Sequence, residues 1–259
     1  MNVMEIKRIV KSKKEMYQVY FDDGQSLKVH EESLVRYLLV PGKELTEDEF
    51  ETLKESLEYD RAYTSALKYI SYKLRSVKEL ETHLSEYYEQ KLVRQTVYRL
   101  QDEGYLNDEA YAEAFRNTVF NTSDKGPMHL VRELKKQGIS NDLIEKEREV
   151  LDNMIDSDRM NKLKDKFLRS HRGSYRQFKE KLKEKLITRG YQKHHLELIV
   201  FDDDFDEDTY FEKDFEKYYN KYQRRESGLK LKQKMIAAMM SKGYSYDKIS
   251  EKLGGIDDE

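Results

Sequence analysis

The chain has 259 residues, 37% of them hydrophobic and 38% charged, with 48 Lys and Arg against 51 Asp and Glu for a formal net charge of −3. The absence of cysteine excludes disulfides, thiolate metal sites and cysteine nucleophiles and fits a reducing compartment. No run is apolar enough to span a bilayer and no secretory signal follows Met1, so a cytoplasmic protein is expected. So polar a balance suits several small cores in an elongated chain better than one large one, and only 2 prolines and 11 glycines favour helix over most of the length.

The first thirty residues differ from the rest. Residues 4–10, 16–21 and 26–29 read as short strands separated by a polar turn and by Asp23-Gly24, a small antiparallel β-meander. Helix is expected from His30, Pro41-Gly42 breaks the chain, and the acidic stretch 43–60 predicts a solvated linking helix started by Thr46 as N-cap with Glu49 three residues on.

Beyond Asp60 one template recurs: apolar, three residues, apolar, three residues, Gly, then Tyr or Ile, with another apolar residue following. It reads Leu130, Leu134, Gly138-Ile139, Ile144, then Leu182, Leu186, Gly190-Tyr191, Leu196, then Met235, Met239, Gly243-Tyr244, Ile249. A degenerate copy is Leu80, Leu84, with Tyr88 where the glycine should be. The apolar pair lines one helix face and the glycine ends that helix in a left-handed conformation, a helix-turn-helix corner. An amphipathic stretch precedes each copy: Tyr63, Leu67, Ile70, Leu74; Tyr111, Phe115, Val119; Met160, Leu163, Phe167; and Tyr210, Phe211, Phe215, Tyr218. Gly126-Pro127 fits a helix start. The prediction is therefore a mainly α fold: a β-rich segment with its linking helix at 1–59, then tandem three-helix repeats at 60–107, 108–153, 154–205 and 206–259, with Gly104, Gly138, Gly190 and Gly243 as structural turns.

The stretch Ala66-Leu67-Lys68-Tyr69-Ile70-Ser71-Tyr72-Lys73-Leu74-Arg75-Ser76 with Glu79-Leu80, then Leu100-Gln101-Asp102-Glu103-Gly104-Tyr105-Leu106-Asn107-Asp108, Tyr111-Ala112, and Gly126-Pro127 ahead of Leu130 and Leu134 resembles the RecX regulatory proteins. The β-rich start followed by Val29-His30-Glu31 is similar to longer members from Gram-positive bacteria. The resemblance implies a curved array of three-helix repeats lying against the RecA nucleoprotein filament, limiting its growth, strand exchange or co-protease activity without a cofactor. Two departures stand out, Tyr88 in place of a turn glycine and a fourth repeat beyond the shorter members.

Charge is strongly segregated. Between Lys162 and Lys193 twelve basic residues face three acids, and between Lys221 and Lys242 seven face one. Such density contacts phosphates or an acidic protein face, or is solvated. Lys73, Arg75, Arg169, Arg172, Arg176, Lys179, Lys183, Arg189, Arg224, Arg225 and Lys232 are the candidate filament- or DNA-contacting residues. Tyr175, Phe178 and Tyr191 interleave with the basic run, where they either pack in a core or stack on bases. The acidic run from Asp202 to Asp208 has no glycine at its sixth position and Lys213 at its twelfth, which excludes a calcium loop and suits a linker.

The six histidines show no metal spacing, and adjacent His194 and His195 would point about 100° apart on a helix. No hydrolase, phosphate-loop or dinucleotide signature occurs, so a monomeric non-enzyme with neither metal nor cofactor is expected, touching single- or double-stranded DNA weakly and nonspecifically. Two alternatives stay open: a tandem helix-turn-helix DNA reader, and a helical-repeat scaffold for another protein.

Overall fold

The computed structural model describes residues 3–13, 15–201 and 205–257. The chain divides into two compact units, residues 1–111 and 112–259. Among the described residues no helix is long and apolar enough to cross a membrane.

The first unit begins with β1 (Val3–Lys11), β2 (Met16–Phe21) and β3 (Ser26–His30), the expected antiparallel meander. Period-two alternation puts Met4 and Ile6, Val19 and Phe21, and Val29 on the buried side. After α1 (Glu31–Arg36) comes a strand that the sequence did not announce. It is β4 (Glu44–Thr46), which adds to the free edge of β1 with Met4 opposite Leu45 and gives the order β3-β2-β1-β4. Three residues are too few to display alternation, so β4 leaves no periodic signal.

Helix α2 (Glu47–Ser71) starts where expected: the Glu49 N–H donates to the Thr46 hydroxyl at 3.3 Å, and the Thr46 N–H donates to the Glu49 carboxylate at 2.8 Å. The solvated linker is corrected. Phe50, Leu53 and Leu57 recur at helical spacing and are buried in the sheet's core, Phe50 edge-on to Phe21 at 4.9 Å between ring centroids. The helix continues unbroken through Asp60, where Ala66 enters a second core with Leu80, Leu84, Val93, Val97, Leu100 and Leu106. That core is completed by α3 (Val77–Ser85) and α4 (Gln90–Asp102). Leu74, placed on the apolar stripe from sequence, lies past the end of α2 and is exposed.

Helix α5 (Asp108–Thr122) contains the division between the units. It is followed by α6 (Pro127–Lys136) and α7 (Asn141–Asn153), then α8 (Ser157–Leu168), α9 (Tyr175–Thr188) and the short α10 (Lys193–Glu197), then α11 (Asp208–Tyr222), α12 (Gly228–Ser241) and α13 (Tyr246–Asp257). The paired apolar positions Leu130 and Leu134, Leu182 and Leu186, and Met235 and Met239 are all buried. Met160, Leu163, Phe167, Phe178 and Tyr191 share the core of the third repeat, and Phe211, Phe215, Tyr244 and Ile249 that of the fourth. Asp202 to Asp204 lie outside the described residues.

The predicted corners form as the template requires. Gly138, Gly190 and Gly243 have φ of +77°, +96° and +90°. The residue after each donates its N–H back into the helix just ended: Ile139 to Leu134 at 3.1 Å, Tyr191 to Leu186 at 3.0 Å and Tyr244 to Met239 at 3.3 Å. Gly104, φ +77°, closes α4 in the same way. The turn after α3 manages without glycine, since the N–H groups of Tyr87 and Tyr88 both donate to the Leu84 carbonyl at 3.0 and 2.9 Å.

Candidate functional site

Within the second unit, the N-termini of α6 and α9 each meet the glycine turn of the repeat that follows. At the start of α6, the Gly126 N–H donates to the Arg189 carbonyl at 2.9 Å and the Met128 N–H to the Gly190 carbonyl at 3.0 Å. Backbone lies on backbone here: a Cβ on Gly190 would sit 2.5 Å from the His129 nitrogen, and one on Gly126 would sit 2.7 Å from the Gly190 carbonyl. At the start of α9, the buried Ser174 hydroxyl accepts the Gln177 N–H at 3.2 Å and donates to the Lys242 carbonyl at 2.6 Å. One side chain thus caps its own helix and satisfies the next turn.

Around the first of these junctions, Arg159 of α8 donates to the carbonyls of Phe120 and Ser123 at 2.8 and 3.0 Å. Asp124 accepts from Lys166 at 2.5 Å and from Arg189 at 2.9 Å. Burial would raise the Asp124 carboxyl, but these two cations hold it below its ordinary value. Inside the second repeat Arg116 and Glu147, both largely buried, pair at 2.6 Å. Sequence reasoning anticipated none of these pairings, which join residues 31 to 65 positions apart.

The candidate basic residues separate into two kinds. Arg75 donates to Glu79 at 3.1 Å and lies 4.1 Å over the Tyr69 ring, and Arg189, besides pairing with Asp124, lies 4.6 Å over Phe167; both hold the fold. Arg172 donates to the carbonyls of Arg169 and His171, and Lys179 lies 4.4 Å over Tyr175. Lys73, Arg169, Arg176, Lys183, Arg224 and Arg225 are exposed, Lys73 within 3.4 Å of Glu79 and Arg176 within 3.4 Å of Glu180, whereas Lys232 is half-buried. Lys164, counted in the basic run, is buried and donates to the Val200 carbonyl at 2.8 Å. Phe178 and Tyr191 are core residues and Tyr175 stacks on Phe205, so these aromatics pack rather than face solvent.

Asp152, His194 and His195 come together as the angular argument did not anticipate. The ring of His195 is buried and that of His194 exposed, their centroids are 3.9 Å apart, and Asp152 lies 3.2 Å from His194 Nε2 and 3.1 Å from His195 Nε2. Burial, and then the neighbouring His194, push the His195 imidazole below its ordinary pKa against the pull of Asp152. The donor set does not suit a metal. His195 Nδ1 accepts the Gln192 N–H at 3.1 Å, which leaves the ring proton on Nε2, the atom a metal would need. The group is a polar clasp from α7 to α10.

Glycine-closed three-helix units in tandem behind a small sheet define a helical-repeat protein of the helix-turn-helix kind. The model of the second three-helix domain of RecX matches residues 107–146, and that of the third matches residues 212–253, inside the fourth repeat counted here. A regulatory protein RecX of Enterococcus faecalis is 30% identical, with 95% of each chain covered, and one of Staphylococcus haemolyticus is 29% identical, with 97% of each covered. A crystal structure of regulatory protein RecX superposes with a TM-score of 0.60 at 25% identity, over 75% of this chain and 97% of that one. RecX from Lactobacillus salivarius gives 0.50 at 32% identity, over 54% and 92%. The chain belongs to the RecX family.

Proposed function

We propose that this chain is a non-catalytic regulator that binds the RecA nucleoprotein filament and mainly inhibits its recombinase and co-protease activities. The observation that carries this reading is similarity over nearly the whole chain to proteins named regulatory protein RecX. The exposed cations Arg169, Arg176, Lys183, Arg224 and Arg225 support contact with a polyanionic filament. The protein acts as a cytoplasmic monomer without a cofactor, touching DNA weakly and nonspecifically. Reading of base edges is disfavoured, because the helices after the turn glycines carry Asp142 and Glu145, Glu197, and Asp247 and Glu251, which would face phosphates.

The test is the ATPase and strand-exchange activity of a preformed RecA filament on single-stranded DNA. Added protein slows both; no effect on assembly, ATPase or co-protease activity would sink the proposal. Reversal of Arg169, Arg176 and Lys183 to Glu leaves the fold intact and weakens filament binding, with a salt dependence shallower by about one unit of slope for each phosphate no longer neutralised.

A further inference from the structure

Among the described residues the most exposed aromatics, Tyr72, Tyr98, Tyr87 and Tyr105, lie in the first repeat. Arg61, Ser65, Lys68, Tyr69 and Tyr72 of α2 and its end, with His83, Tyr87 and Tyr88 of α3 and its turn, line an open groove of about 620 Å³. Its lining holds four tyrosines, a histidine and two cations, and no carboxylate. Glu86 and Glu89 flank the last two tyrosines in sequence but do not line it. Tyr69 forms a fixed floor, stacked on His83 at 4.0 Å with the rings 11° from parallel and covered by the Arg75 guanidinium at 4.1 Å. Tyr72 and Tyr87 are 75% and 68% exposed. Two large rings left in water beside a preorganised aromatic stack, with cations and no acids, match an occupant that is flat and apolar on its faces and anionic along its backbone.

We propose that this groove is a stacking site for unpaired nucleobases of a single-stranded nucleic acid, with Tyr72 and Tyr87 taking the bases and Lys68 and Arg61 the phosphates. A duplex hides its base faces inside its own stack and gains only the phosphate contacts, so the site discriminates single from double strands without reading sequence. Arg61 also donates to the Lys28 carbonyl, which holds its guanidinium at the groove's edge. The inference does not depend on the RecA reading, since it concerns free nucleic acid and a different repeat from the one bearing the densest charge.

The experiment is fluorescence anisotropy of the full chain with labelled oligothymidylate, beside a duplex of the same length. The unmodified protein prefers the single strand, and Tyr72→Ala with Tyr87→Ala weakens single-strand binding at least about fivefold with little change for the duplex. Replacing both by Phe, which keeps the ring and removes the hydroxyl, restores the preference. Both residues are exposed, so thermal unfolding of each variant should match the parent. Equal affinity for the two nucleic acids, or an unchanged preference in the double alanine variant, overturns the proposal. So does an alanine variant that loses only filament binding, which would make the groove a protein-docking site.

Discussion

The two junctions of the second unit solve one problem with different atoms. In each, the carbonyl at the end of a middle helix, that of Arg189 or Lys242, needs a donor from the preceding repeat. At the first junction the donor is the Gly126 backbone, and the two chains are so close that neither Gly126 nor Gly190 has room for a Cβ. At the second the donor is a hydroxyl, and the atom nearest a Cβ on Gly243 is that same Ser174 Oγ, at 2.5 Å. A backbone contact is rigid because main-chain atoms cannot rotate away, whereas a side-chain contact can be trimmed.

The largest expected effect follows at the rigid junction. Gly190→Val adds a β-branched residue at φ +96° and drives it into the His129 backbone, so it should destabilise the second unit by about 3 kcal/mol or more in urea unfolding. A variant as stable as the parent would refute the junction. Next comes a double-mutant cycle at the adjustable one. Ser174→Ala alone should cost about 1–2 kcal/mol through the missing cap and the unpaired Lys242 carbonyl. Gly243→Ala should cost less in the Ser174→Ala background than in the parent, because its clash partner is gone. Strict additivity would show that Ser174 Oγ is not what confines the turn.

The smallest effect is on pH. His129, His171 and His195 are all held below the ordinary histidine value, in each case first by burial. The unfolded chain therefore binds protons that the folded unit refuses. Stability from these groups is complete above the unfolded value of about 6.5 and declines as pH falls from there toward the depressed folded values. His129 follows the first junction's glycine and His171 precedes the second's serine, so acid should loosen both. Ring-proton NMR titration checks the direction, and a midpoint at or above the free-histidine value for all three would contradict it.

What was legible in the sequence was whatever repeats or alternates. The β-meander, the Thr46 cap and the corners at Gly138, Gly190 and Gly243 could be read because each is local. The reason for Gly126 could not, because the backbone that excludes its side chain, at Gly190 and Tyr191, lies 64 and 65 residues away. The basic residues were legible as a density and not as a surface: Arg75, Lys164 and Arg189 are spent on Glu79, the Val200 carbonyl and Asp124, partners that only the fold supplies. The tyrosines show the same limit in reverse. Those interleaved with the densest charge turned inward, while Tyr72, beside Lys73, and Tyr87, beside Glu86, stayed outside.

Helix α2 feeds two cores, the sheet's through Phe50, Leu53 and Leu57 and the first repeat's through Ala66. Its residue count is therefore a phase setting. Each residue inserted between Leu57 and Ala66 would rotate one core against the other by about 100° and move it about 1.5 Å along the axis. The helix works as a keyed shaft, and its length is held as firmly by geometry as any buried side chain is by packing.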